Sequence, residues 1–348
     1  MKISIGCNIQ SGPFGGGNQL NRALAEHFIN LGHKVEFDLI SKDLDLIILA
    51  DPRTTLRSIS YGDKEILKYL IFSNPRALVL QVIHECDERK GTTGLNKRLW
   101  WANNIADHTV FISDWQHKIF NEKKLVFNND LVIRNGSDET TFSWDGKPRW
   151  DGISPLKLVT HHWSNNWMKG FDIYQKLDQM IKSERWKNKI EFTYIGNIPK
   201  DFEFINSKRL EPLSGEKLAK ELSHNHIYVT GSINEPAGLH HIEGALSGLP
   251  ILYRESGALP EYCNGFGESF KGVDDFESAL EQIIKNYHFL NEKLIKYPYS
   301  FKKMCIEYED LINNMIKNKD ELIETRKARS LWLWKLKTFL GITPRFNA

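Results

Sequence analysis

Two glutamates eight positions apart, Glu235 and Glu243, flank the start of a helix in the run GSINEPAGLHHIEGALSGLP at 231–250. Pro236 has a fixed φ suited to a first helical turn and lacks the amide that would go unpaired there. Gly248 and Pro250 stop the helix again. The apolar stretch Ile227–Gly231 reads as a strand, so the amides of Ala237, Gly238 and Leu239 are left free at a strand-to-helix junction. Such a junction is an anion site that fits a phosphate. Glu243 shares its helix face with Leu239 and Leu246, which sets its carboxylate on an apolar stripe. A buried acid needs a hydrogen-bonding partner, and a ribose diol is one. Glu235, at or near the cap, can point into the same place. Taken singly, the pair also reads as a capping acid and a solvated one.

Three further places carry chemistry. Lys169-Gly170 opens a helix in HHWSNNWMKGFD, where an ammonium can neutralise an anionic group. Gly12-Pro-Phe-Gly-Gly-Gly17-Asn18 joins a strand to a helix, and its glycines, Gly16 and Gly17 among them, let backbone approach a ligand. The order G-x-x-G-G-G departs from the G-x-G-x-x-G of dinucleotide sites, although Asp38 stands where their acid would. His84 ends an apolar strand in VIHECDER, with Asp87 three positions on.

The elements that must position these residues alternate. Strands are expected at Lys2–Asn8, Lys34–Leu39, Leu44–Ala50, Ala77–His84, His108–Ile112 and Leu131–Arg134, with a helix at Asn18–Leu31 whose Leu20, Leu24 and Phe28 mark one face. After the aperiodic SWDGKPRWDGISP, read as a linker, alternation restarts. Strands Leu156–His162, Ile190–Ile195, Ile227–Gly231 and Ile251–Tyr253 interleave with helices Gly170–Ile181, Glu216–Leu222 and Gly238–Ser247. Two helices, near Phe276–Ile295 and Phe301–Lys317, follow. The pattern is α/β with parallel sheets: a Rossmann-like domain over 1–150, a second over 151–297, a closing helix at 298–320 returning toward the first, and a tail at 321–348. Two such domains are expected to face each other across a cleft at the carboxyl ends of their strands.

The 348 residues suit two domains, and a formal net charge of +2 gives no pull toward nucleic acid. Cys7, Cys86, Cys263 and Cys305 lack metal or disulfide spacing, and neither His161-His162 nor His240-His241 has the further ligands of a zinc site. Asp43-Leu-Asp45 enters a strand and reads as structural. The first residues, MKISIGCNIQ, lack the apolar run of a secretion signal, and no stretch is apolar for long enough to span a bilayer, so a cytoplasmic protein is expected. The segment Arg326–Phe346 mixes Lys and Arg with Trp, Phe and Leu, a composition that suits peripheral contact with an anionic membrane at its inner face.

The strand, Glu-Pro-x-Gly-Leu, helix, second Glu and Gly-x-Pro string resembles the E-x(7)-E signature of retaining family 4 glycosyltransferases (glycosyl transferases group 1, GT-B fold). Gly257-Ala258-Leu259-Pro260-Glu261, Lys169-Gly170, the glycine loop and the Asn135-Gly136…Phe142 segment resemble further parts of that family, over roughly residues 1 to 317. The resemblance implies that Glu235 contacts the donor sugar, Glu243 holds the ribose, Lys169 neutralises the diphosphate and His84 lies beside the transferred sugar. It implies a nucleoside diphosphate sugar as donor, a sugar or glycolipid acceptor, no metal and no cofactor. The family's arginine before the lysine is replaced by Ser164 and Asn165, with Arg134 as a candidate substitute. That departure keeps an inactive paralogue serving as a partner subunit among the readings. A nucleotide-sugar epimerase of the same fold and an NAD-dependent oxidoreductase are the others.

Overall fold

The computed structural model describes all residues except 11, 13, 14, 147, 148, 330 and 345–348. Pro13 and Phe14 of the glycine loop, Lys147-Pro148 of the expected linker, and Ser330, Arg345 and Phe346 of the tail lie outside the described residues.

The chain divides into two compact units. One comprises Met1–Gln10, Gly17–Arg134 and the described residues from Lys303 onward; the other comprises Asn135–Lys302 and the described residues of 11–16. The first holds strands β1 (Lys2–Ile5), β2 (Lys34–Glu36), β3 (Leu46–Leu49), β4 (Leu78–Ile83), β5 (His108–Phe111) and β6 (Asp130–Val132). They form one parallel sheet in the order β2-β1-β3-β4-β5-β6. β3 and β4 are buried along their whole length, which is why they read as unbroken apolar runs: helices cover both faces. Those helices are α1 (Gly16–Asn30), α2 (Asp63–Phe72), α3 (Asp87–Lys90), α4 (Leu95–Asn103) and α5 (Asp114–Glu122). The chain returns to this unit for most of α12 (Phe301–Lys317), then α13 (Lys319–Ala328) and α14 (Trp332–Phe339).

In the second unit β7 (Leu156–His162), β8 (Ile190–Gly196), β9 (Lys208–Leu210), β10 (Ile227–Thr230), β11 (Ile251–Arg254) and β12 (Gly267–Phe270) form a parallel sheet ordered β12-β11-β10-β7-β8-β9. This is the doubly wound order that reverses between its first and fourth strands, here β7 and β10. Its helices are α6 (Phe171–Met180), α7 (Gly215–Ser223), α8 (Leu239–Leu246), α9 (Leu259–Cys263), α10 (Phe276–Lys285) and α11 (Tyr287–Leu294). The core is aromatic, with Phe171, Tyr174, Tyr194, Phe270 and Phe276 all buried.

Where sequence and structure differ, edges and breaks are responsible. β9 and β12 were not anticipated, because KRL and GESF are edge strands without an apolar run. The single helix expected over Phe276–Ile295 breaks at Asn286, which ends α10 and starts α11 so that Tyr287 can be buried. All four cysteines are buried, and none forms a disulfide among the described residues. Asp43 pairs with Lys2 and Asp45 accepts from the Lys2 amide at 2.9 Å, so both aspartates fasten a strand end.

Candidate functional site

The reversal between β7 and β10 leaves a crevice at the carboxyl ends of those two strands, the place where open α/β sheets take ligands. The segments that follow β7 and β10 bring Lys169 and Glu235 together. After β7 the chain makes a 3₁₀ turn, Trp167–Lys169, capped by the Asn166 side chain, which accepts from the Met168 amide at 2.8 Å. Gly170 then adopts φ +100, and a Cβ there would collide with Gly231 backbone at 2.3 Å. Only glycine allows the turn after β7 to pass this close to the end of β10. Ile233 N donates to Met168 O at 2.8 Å and ties the two connections together.

Across that tie the Lys169 ammonium donates to Glu235 Oε2 at 2.9 Å, with side-chain exposures of 15% and 6%. The Glu235 backbone is held in turn by the Ala258 amide, which donates to its carbonyl at 2.8 Å. Its carboxyl lies against Gly238, where a Cβ would come within 3.0 Å of Glu235 Cδ. Gly238 caps α8 in an extended conformation without a side-chain cap, so the helix presents its first amides beside the Lys169–Glu235 pair. Pro236 and Ala237 form the approach, and Asn135 Nδ2 braces it by donating to Ala237 O at 3.0 Å. Gly16, which groups with this unit, lies against the first residue of α8: a Cβ there would stand 3.0 Å from Leu239 Cγ. Gly17, at the edge of the first unit, is exposed.

Glu243 is 2% exposed on the inner face of α8. Its Oε2 meets His161 Nε2 at 2.7 Å, and Ser137 Oγ donates to Oε1 at 3.4 Å. A carboxylate only accepts, so His161 Nε2 donates to it, and Nδ1 meets Tyr228 OH at 3.1 Å. The sequence reading missed His161 and Ser137. Ser137 belongs to the Asn-Gly run that carried the resemblance, and His161 ends β7, the strand beside the reversal.

Behind α8 lies a group of buried imidazoles. His240 Nε2 meets Thr230 Oγ1 at 2.9 Å, and His162 Nε2 meets Tyr174 OH at 2.6 Å. Both ring nitrogens of His241 lack hydrogen-bond partners among the described residues. Burial drives His240 well below its ordinary pKa and His241 down to about 3. Among the described residues no His, Cys, Asp and Glu cluster is arranged to hold a metal.

His84 belongs to the first unit, just past β4. Burial lowers its pKa to about 4, and its Nε2 is buried without a hydrogen-bond partner among the described residues. Asp51 and Arg53, which pair at 2.5 Å after β3, are its charged neighbours. Asp87 is occupied: its carboxylate accepts from Thr92 Oγ1 at 2.8 Å and from the Leu95 and Asn96 amides at 2.8 and 3.0 Å. Arg134 pairs with Asp114, while Ser164 Oγ accepts from the Asn166 amide at 3.2 Å.

No protein-family profile and no curated protein matches this sequence. Solved structures do. Sucrose-phosphate synthase (tll1590) from Thermosynechococcus elongatus superposes with TM-score 0.66 at 12% identity, over 91% of this chain and 99% of that one. Anabaena Alr3699/HepE in complex with UDP-glucose gives 0.67 at 11% identity, over 90% and 100%. The catalytic domain of Starch Synthase IV from Arabidopsis thaliana, bound to ADP and acarbose, gives 0.61 at 13%, over 91% and 99%. The fold is that of the GT-B glycosyltransferases.

Proposed function

We propose that this chain is a retaining, nucleotide-sugar-dependent glycosyltransferase that moves a hexose-type sugar from a nucleoside diphosphate to an acceptor hydroxyl. The observation that carries the reading is the partly buried Lys169–Glu235 pair just before α8, with a second, buried glutamate, Glu243, on that helix. A diphosphate at the α8 amides would lie beside the Lys169 ammonium, the ribose would reach Glu243, and the sugar would meet Glu235. That HepE was solved with UDP-glucose and Starch Synthase IV with ADP supports a donor of this class.

In the proposed step the bond between the anomeric carbon and the diphosphate oxygen breaks while the acceptor oxygen attacks on the same face. The acceptor proton passes to the departing phosphate, so no enzymic nucleophile is required. The chain's part is to position the reactants and to offset charge growing on the leaving group. His84 would stand beside the transferred sugar and Gly16 and Gly17 near the donor phosphates. No metal or cofactor takes part. The acceptor is a sugar or glycolipid of a surface polysaccharide or glycoconjugate, reached from the cytoplasmic side, with peripheral membrane contact through 326–346. No helix among the described residues is long and apolar enough to cross a membrane.

Incubation with labelled UDP-, ADP- and GDP-sugars and a panel of sugar and glycolipid acceptors tests the reading. Label should appear on an acceptor with the donor's anomeric configuration, and a chelator should leave the rate unchanged. An inverted linkage would rule out the retaining mechanism. Sugar isomerised on the nucleotide without any acceptor would favour an epimerase.

A further inference from the structure

On the outer surface of the first unit, α14 and α2 lie side by side. α14 reads WLWKLKTF, without an acidic residue. Trp334 and Thr338 face the protein: the Trp334 indole donates to Trp101 O at 2.9 Å, and Thr338 Oγ1 accepts from the Trp101 indole at 3.0 Å. At 100° per residue, Trp332, Leu336 and Leu340 fall on the opposite face, and they are 69%, 48% and 60% exposed. From α2, Lys64, Lys68 and Phe72 share one face. The Phe72 ring sits 6.3 Å from that of Phe339, with Lys68 Nζ 5.7 Å over the same ring. The two acids of α2 are turned away, since Asp63 is buried against Arg98 and Glu65 caps its own helix through the Gly62 amide.

We infer that α2 and α14 together form a docking platform for an anionic lipid surface. It develops the membrane contact proposed above but relocates it. Arg326 and Arg329, which composition alone would send to the lipid, are held inside. Arg326 pairs with Asp107 at 2.8 Å and donates to Ala77 O and Pro75 O; Arg329 donates to Ala106 O. The lysines carried by the α2–α14 face are Lys64, Lys68, Lys335 and Lys337, and half of them come from α2, far from the tail in sequence. Exposed Trp, Leu and Phe ringed by lysines match the headgroup boundary, where the rings enter and the lysine stems reach back to phosphate. A second copy of the chain is a poor occupant, because a two-fold contact would press the same lysines against each other. Trp334, packed into the core cluster of the unit, fixes the outward face before any lipid is met.

The test uses the full chain with phosphatidylcholine vesicles, with and without phosphatidylglycerol, read by co-sedimentation and tryptophan emission. Wild type should prefer the anionic vesicles and shift its emission to the blue. The double variant Lys64→Gln/Lys68→Gln should bind them about 30-fold more weakly, at about fivefold per lysine, and Leu336→Asp should lose the emission shift. Lys327→Gln, an exposed α13 lysine paired with Glu324 at 2.7 Å, should bind as wild type. Melting and nucleoside diphosphate affinity should be unchanged in all of them, which separates this proposal from the sugar-transfer reading. Three results would overturn it: no preference of wild type for anionic vesicles, wild-type binding by both platform variants, or a dimer in sedimentation that Leu336→Asp dissociates.

Discussion

Lys169 and Glu235 are more than two groups waiting for a ligand, because each offsets the other's burial. Removing one partner of such a pair leaves an uncompensated charge and costs about 3–5 kcal/mol. Lys169→Ala should therefore lower the melting temperature as well as turnover, and its activity must be read well below that transition. There the loss should be about 100- to 1,000-fold, the value of one positioned charge on the leaving group. Glu235→Gln is the milder probe. Its amide oxygen can still accept from Lys169, so nucleoside diphosphate affinity should stay within about twofold while transfer falls by about 100-fold. Loss of nucleotide affinity in this variant would mean that Glu235, not Glu243, holds the nucleoside. His161 acts through Glu243, donating a charge-assisted hydrogen bond worth about 1.5–3 kcal/mol. His161→Phe should weaken nucleotide binding by about tenfold or more and His161→Gln should restore part of it, because the glutamine amide can donate. Equal affinity in the phenylalanine variant would make the contact merely structural.

Among the elements, the legible ones announce themselves by punctuation or by a continuous apolar run. Leu46–Leu49 and Leu78–Ile83 are central strands buried throughout, and α8 is bounded by Pro236 before it and Gly248 after it. β9 and β12 escaped because an edge strand need bury little. The partners of Glu243 escaped for another reason: His161 lies 82 residues away in sequence and Ser137 106, and no periodicity reports a contact of that range. Burial also gives α8 a pH signature. In the unfolded chain His241 takes up a proton near its ordinary pKa of 6.5, but the folded side chain resists until about 3. Stability is therefore fully present above pH 6.5 and is lost as the pH falls toward 3, at up to about 1.4 kcal/mol per unit. His240 acts in the same direction. His241→Phe should flatten the fall in denaturation midpoint over this window, and an unchanged slope would mean that the imidazole is protonated in the fold.

At the scale of the whole molecule, the first unit is discontinuous: its sheet is built from the first 134 residues and its outer layer is completed by helices after Lys303. Trp334, at 6% exposure, is one of the side chains that closes it. Trp334→Ala should destabilise that unit by about 3–5 kcal/mol. Because two units need not unfold together, the loss should appear as an earlier, separate transition in calorimetry. Every residue assigned to the nucleoside and the diphosphate except Gly17 groups with the second unit, so nucleotide affinity should survive at temperatures below that transition. A single transition shifted as a whole would show that the two units unfold cooperatively.

The central claim is that α8 holds a nucleoside diphosphate, with Glu243 on the ribose. Calorimetry of wild type and Glu243→Gln against UDP, ADP and GDP tests it most directly. Exchange of the carboxylate for an amide removes charge-assisted hydrogen bonding worth about 1.5–3 kcal/mol. The tightest of the three ligands should then bind the variant about 10- to 150-fold more weakly, with the melting temperature little changed. Equal affinity in the two proteins, or no binding of any of the three to wild type, would contradict the account.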